Sequence, residues 1–117
     1  MIELDGIRVG IDLVEIKRFT NISFQENKSF YEKNFSKDEI EYCLKFNEPY
    51  KHFAGKFALK EATKKAIEIK LKMTEIITSH IKSKPVVIIP SEEYHLEASV
   101  SHDGNYAIAI LISKKVV

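Results

Sequence analysis

A chain of 117 residues, 44% hydrophobic and 30% charged, has the length of one domain spanning 1–117 and a composition that excludes a largely disordered polypeptide. Its 18 Lys+Arg against 17 Asp+Glu leave a formal net charge of +1, so neither nucleic acid nor an anionic membrane is an expected partner. Cys43 is the single cysteine and has no internal disulfide partner; with no basic-then-apolar opening and no run of ~18 apolar residues, the expectation is an unprocessed protein of the reducing cytoplasm.

From residue 7 to 14, apolar side chains alternate at Ile7, Val9, Ile11 and Leu13, the period of a half-buried strand, which puts Asp12 on the face opposite Ile11 and Leu13. Aromatic residues scattered among Lys and Glu predict a short amphipathic helix over 24–35. Ser36 followed by Glu39 has the spacing of a capping box, so a helix is predicted over 37–46, stopped by Asn47, Glu48 and Pro49. A long helix rich in Ala, Lys, Leu and Glu is predicted over 50–71. Strands follow over 75–81, 86–89, 94–101 and 106–112, with turns at Lys84-Pro85, Pro90-Ser91 and Asp103-Gly104-Asn105. The Asp-Gly turn between two alternating runs makes the last two strands a hairpin. The fold class is therefore α+β: an N-terminal strand, helices including one long one, then an antiparallel sheet.

Three places carry polar groups among residues that should be buried. Asp12 is an acid on an otherwise apolar strand, and taken alone it reads as a solvent-facing or capping carboxylate. On the long helix, at about 100° per residue, Ala54, Ala58, Glu61 and Lys65 share one face, a flat floor beneath an acid and a base. The plainer reading is a solvated i,i+4 pair, and Lys56, Lys60 and Lys64 likewise read as exposed charge. His102 ends a strand between Ser101 and Asp103, which stand too close in sequence to form a nucleophilic triad. Phosphate-cradling glycine loops and zinc-ligand spacings are absent from the sequence.

In order along the chain, G-I-D-L-V-E-I-K-R-F from residue 10, F-S-K-D-E from 35, F-A-G-K-F-A-L-K-E-A-T-K-K-A from 53, K-P at 84 and S-V-S-H-D-G-N-Y-A-I-A from 99 resemble the successive signatures of the holo-acyl-carrier-protein synthase family of 4′-phosphopantetheinyl transferases. The resemblance spans nearly the whole chain, and its third piece is the most specific. It implies a 4′-phosphopantetheinyl transferase fold, usually a homotrimer with strands gathered at the threefold axis and active sites between subunits. The implied activity, which serves fatty acid biosynthesis, is Mg²⁺-dependent transfer of 4′-phosphopantetheine from coenzyme A to a serine of an apo-acyl carrier protein, releasing adenosine 3′,5′-bisphosphate. Asp12 and Glu61 would hold Mg²⁺. Glu61, Lys65 and His102 would be catalytic, Lys65 and His102 would also meet coenzyme A, and Lys84 with Pro85 would border its pocket. Lys17 and Arg18 would face the acidic carrier.

One stretch departs from the family pattern. A glycine-containing turn that approaches coenzyme A phosphates is replaced by Ile67-Glu68-Ile69-Lys70-Leu71-Lys72, in which Glu68 would repel an anion, and the usual glycine before K-P is Ser83. Two readings follow: an active transferase that uses Lys65 with Lys70 or Lys72 in place of the turn, or a non-catalytic relative that binds a carrier protein or a synthase partner.

Overall fold

The structure is a computed structural model that describes residues 5–116, so the reading of the opening segment falls partly outside it. Strand β1 (Ile7–Glu15) is followed by α1 (Lys17–Thr20), α2 (Lys28–Asn34), α3 (Lys37–Leu44) and the long α4 (Pro49–Ala66). A 3₁₀ turn (Met73–Glu75) leads to the hairpin of β2 (Ile77–Ile81) and β3 (Lys84–Ile88), and a second hairpin joins β4 (Tyr94–Asp103) to β5 (Tyr106–Lys115). The antiparallel order β1-β5-β4 puts β5 in the middle of the larger sheet, and β2-β3 forms a separate pair. The α+β expectation holds.

The α3 start is capped as read. The Ser36 hydroxyl accepts from the Glu39 N–H at 3.2 Å, and Glu39 Oε1 accepts from the Ser36 N–H at 2.8 Å. Around α4, an aromatic cluster of Phe19, Tyr31, Phe35 and Phe53 packs α1 and α2 onto the helix, with the Tyr31 and Phe53 rings edge-on at 4.7 Å, and α3 joins through Ile40 and Cys43.

Several expectations are corrected. Helix α4 stops at Ala66 and does not continue to residue 71; Ile67 is extended (φ −122°, ψ 159°) and buried. The backbone groups that would carry the next turn are taken by the sheet: the Ser113 hydroxyl donates to the Ala66 carbonyl, and the Glu68 N–H donates to the Tyr94 hydroxyl at 3.1 Å. The strand expected from residue 75 opens as the 3₁₀ turn and begins at Ile77. Lys84-Pro85 is not a turn. The connection is Lys82-Ser83, both at positive φ (50° and 70°), as a two-residue hairpin loop requires, and Pro85 lies inside β3 opposite His80.

The apolar alternation of β1 also points the other way. Val9, Ile11 and Leu13 face outward with more than half their area exposed, while Gly10, Asp12 and Val14 face α4. Clearance is the cause. A Cβ added at Gly10 would come within 1.8 Å of the Ala62 carbonyl oxygen, so at this crossing helix and sheet meet through small residues, Ala54, Ala58, Ala62 and Ala66 on α4 and Ala107 and Ala109 on β5, with Val14 and Leu111 filling the space beside them. The larger aliphatics are left outside, in register pairs Val9↔Ile112, Ile11↔Ile110 and Leu13↔Ile108.

Candidate active site

Close packing of α4 on β1 brings three of the expected site residues to one edge. Lys65 Nζ donates to the Ile11 carbonyl at 2.9 Å and lies 3.2 Å from Asp12 Oδ1, whose side chain is about one-fifth exposed. Lys65 thus reaches forward to the strand and not back to Glu61, as a solvated i,i+4 pair would; among the described residues Glu61 has no ion pair. Glu61 is half-buried one helical turn before Lys65, on the same side of α4. Among the described residues no group of three or more His, Cys, Asp or Glu stands together as a metal cage. Two carboxylates at an open edge suit a hard divalent cation that completes its shell from phosphate and water.

His102 ends β4 near the first turns of the same helix, two strands away from Asp12. Its Nε2 lies 3.1 Å from the Lys51 carbonyl, and Gly55 packs beneath the ring, where a Cβ would sit 3.1 Å from Nε2, a tighter contact than usual. The ring borders a cavity of about 50 Å³ lined also by Tyr42, His52, Lys56, His80 and Pro85. This cavity shares Tyr42, Lys56, Thr78, Ser79 and His80 with a groove of about 660 Å³ between α3 and β2. The Lys56 ammonium donates to the Thr78 hydroxyl at 3.0 Å and sits 4.7 Å from the Tyr42 ring centre. Tyr42 stacks on His80, and Phe46 on His52. Burial, then the neighbouring His102, Lys51, Lys56 and His80, hold the His52 pKa below the ordinary histidine range; burial and Lys56 do the same at His80. Neutral ring faces beside a buried ammonium make a surface for a flat, anionic ligand.

The remaining expected residues are dispersed. Pro85 lines the cavity, but its neighbour Lys84 points to the opposite face and pairs with Glu97 at 2.8 Å. Lys17 and Arg18 are exposed on α1. Lys17 borders a shallow groove of about 570 Å³ with Glu48, Tyr50 and Lys51, and the Arg18 guanidinium lies 5.3 Å over the Phe57 ring. Lys70 and Lys72 are exposed on the segment after α4. The reading of Glu68 as a repelling charge is corrected: Arg8 holds it at 2.6 Å and Lys115 at 3.6 Å, and the Arg8 hydrogen bond draws its pKa down.

Sequence reasoning missed Tyr42, His52, Lys56 and His80, and read Lys56 and Lys60 as exposed when both are buried. One signal was available: His52, Gly55, Lys56 and Leu59 recur at i, i+3, i+4 and i+7, a helix face as coherent as the one bearing Glu61. Tyr42 and His80 join that face only through tertiary packing.

An acid on the first strand, an acid and a lysine one turn apart above it, and a basic ring-lined cavity along the same helix define an anion-handling α+β scaffold. Residues 8–111 match the family model of the 4′-phosphopantetheinyl transferase superfamily. The chain is 33% identical over 108 residues to the holo-[acyl-carrier-protein] synthase of Thermodesulfovibrio yellowstonii, covering 89% of this chain and 95% of that protein. Among solved structures, Helicobacter pylori holo-[acyl-carrier-protein] synthase in complex with coenzyme A superposes with a TM-score of 0.77 at 32% identity, covering 91% of this chain and 99% of that one. The ACPS–CoA complex of Chronobacterium ammoniagenes gives a TM-score of 0.79 at 26% identity, covering 97% and 100%. The chain belongs to the 4′-phosphopantetheinyl transferase superfamily and, within it, to the holo-[acyl-carrier-protein] synthase family.

Proposed function

We propose that the protein transfers 4′-phosphopantetheine from coenzyme A to a serine of an apo-acyl carrier protein. Beside family membership, the observation that carries this reading is the Lys65–Asp12 contact at 3.2 Å, which sets a cation and two carboxylates, Asp12 and Glu61, along one open edge. In the reaction, the serine oxygen bonds to the phosphorus nearest pantetheine while the bond from that phosphorus to the adenosine bisphosphate oxygen breaks. The serine proton passes to Glu61, the candidate base. Lys65 neutralises charge gathering on the departing phosphate, and His102, its ring seated by Gly55 and the Lys51 carbonyl, positions coenzyme A. Asp12 and Glu61 would hold Mg²⁺, which when bound neutralises the diphosphate of the substrate; two protein carboxylates at an open edge fit that ion's habit. Coenzyme A would lie along α4 between this edge and the cavity beside Pro85, and Lys17 and Arg18 on α1 would meet the acidic carrier, chiefly to speed and orient encounter.

A homotrimer is part of the proposal. The outward row of Val9, Ile11, Leu13, Ile108, Ile110 and Ile112 is a contiguous aliphatic face of the kind that marks an interface, and the occupant we propose, as the resemblance implies, is another copy of the chain. A cytoplasmic location suits the lone Cys43, buried and with its thiol pushed up to about 12 by that burial.

Pairing of Glu68 with Arg8 and Lys115 offsets one charge of the altered segment, and the missing glycine is what still favours a non-catalytic carrier-binding relative. The test is incubation with apo-acyl carrier protein, coenzyme A and Mg²⁺, followed by intact mass. The expected result is a carrier heavier by one phosphopantetheine. An unchanged carrier at millimolar coenzyme A would return the reading to the carrier-binding relative.

A further inference from the structure

The side of α4 turned away from β1 carries a charge network that the proposed chemistry does not use. Lys60 is fully buried, and all three ammonium protons are engaged: with the Asn34 carbonyl at the end of α2 (2.8 Å), Glu39 Oε1 on α3 (2.6 Å) and the Met73 carbonyl of the 3₁₀ turn (2.9 Å). Glu39 is saturated in turn. Its Oε1 also accepts from the Ser36 N–H, and its Oε2 accepts from the Thr78 N–H (2.7 Å) and hydroxyl (2.6 Å) on β2. Burial pushes the Glu39 carboxyl up, but the Lys60 ammonium and the bonds from Lys60, Thr78 and Ser36 outweigh it and keep the group ionised.

Such a pair is a weak source of stability, because desolvation offsets most of its attraction and an apolar pair of equal volume holds elements as firmly. Its contribution is direction. Against the sheet, α4 presents Ala54, Ala58, Ala62 and Ala66 mainly to Gly10, Ala107 and Ala109, with Val14 and Leu111 the larger buried members of the sheet face, a contact of mostly small side chains that does little to stop the helix sliding or turning. The Lys60 bonds have fixed lengths and angles and reach three other elements. Glu61 is the next residue, and Lys65 follows one turn later. A displacement of about 1 Å at a reacting centre can cost ~100-fold in rate.

We propose that Lys60, through Glu39 and the carbonyls of Asn34 and Met73, is a positioning residue that fixes the axial setting of α4 and so holds Glu61 and Lys65 over Asp12. This inference rests on the role proposed above for those three residues in binding the metal and phosphates.

The test is the double variant Glu39→Gln/Lys60→Met, which removes both charges at similar volume and leaves no lone buried ion. Far-UV circular dichroism reports its fold, Mn²⁺ titration by electron paramagnetic resonance in the presence of coenzyme A reports the metal edge, and steady-state kinetics separate kcat from the KM for carrier protein. The expected result is parental helix content, Mn²⁺ affinity and kcat each lowered about tenfold or more, and an unchanged carrier KM, since α1 does not depend on the network. Parental Mn²⁺ affinity and kcat in the folded double variant would overturn the inference and leave the pair a simple cross-link. Should the double variant not fold, Thr78→Val decides. That change removes one bond to Glu39, so weaker Mn²⁺ binding supports positioning and unchanged binding overturns it. A parent that binds Mn²⁺ but transfers nothing would sink the transferase reading alone, with the inference still judged on Mn²⁺ affinity. A parent that binds no Mn²⁺ would sink the metal edge and the inference together.

Discussion

At the scale of single residues, Asp12 and Glu61 separate by what they support. Neither belongs to the buried core, so Asp12→Ala and Glu61→Ala should each leave the fold intact while lowering Mg²⁺-dependent transfer by about 100-fold or more, the scale of losing one preorganised charge contact. Asp12→Asn makes the same test with less change of shape. Full activity in either alanine variant would remove that residue from the site. His52 gives a pH signature. Its folded pKa lies below that of the unfolded chain, so the unfolded state binds the extra proton first. Stability is therefore complete above the ordinary histidine pKa of about 6.5 and is lost as pH falls from there through the depressed folded value. His80 acts in the same direction. Thermal melts should show a lower Tm on acidification through this window, and His52→Gln should flatten the slope; an unchanged slope would place the effect elsewhere. Asp12, Glu61, Lys65 and His102 can be singled out in the sequence because their motifs carry them, and the roles proposed for them await the test of variants. Lys60 cannot, because lysine is rarely buried and only a partner 21 residues away, Glu39, makes that burial tolerable.

Among the elements, α4 and the segment that follows it show where local reading ends. Residues 67–71 have ordinary helix formers, and nothing in their sequence announces that the Ser113 and Tyr94 hydroxyls will take the helix's next backbone partners. Tertiary contacts overrode propensity. The same contacts tie the glycine-free stretch to the end of the sheet, with Glu68 clasped by Arg8 and Lys115. Lys65 is therefore the proposed phosphate contact, and Lys70 and Lys72 are exposed on the segment beyond the end of α4. Lys65→Ala should weaken coenzyme A binding by about tenfold or more, as loss of one charge-assisted contact of roughly 1.5–3 kcal/mol requires, and Lys70→Ala and Lys72→Ala should have smaller effects. Calorimetric titration with coenzyme A and Mg²⁺ measures all three, and parental binding in the Lys65 variant would end the assignment.

For the molecule as a whole, the outward face of β1 and β5 is the surface proposed for assembly. Alternation in the sequence identified the strand but could not say which face meets the helix; Gly10, the residue that settles it, looked like a mere member of a motif. Ile110→Asp puts a carboxylate in the middle of that face without touching the α4 side. Sedimentation should show a trimeric parent and a monomeric variant, with transfer lost and subunit helicity kept. A variant still trimeric would move the interface elsewhere.

The clearance at Gly10 also acts on the folding chain. A slip of one residue that turned β1 over would bring Val9 or Ile11 to the place of Gly10 beneath α4, into a gap that rejects even a methyl group. Misaligned pairings therefore cannot hide their aliphatic side chains under the helix, and the sheet has one register in which α4 can close. The tight contact between helix and strand serves as a gauge: a subunit that has passed it necessarily carries its aliphatic face on the outside, ready for another copy.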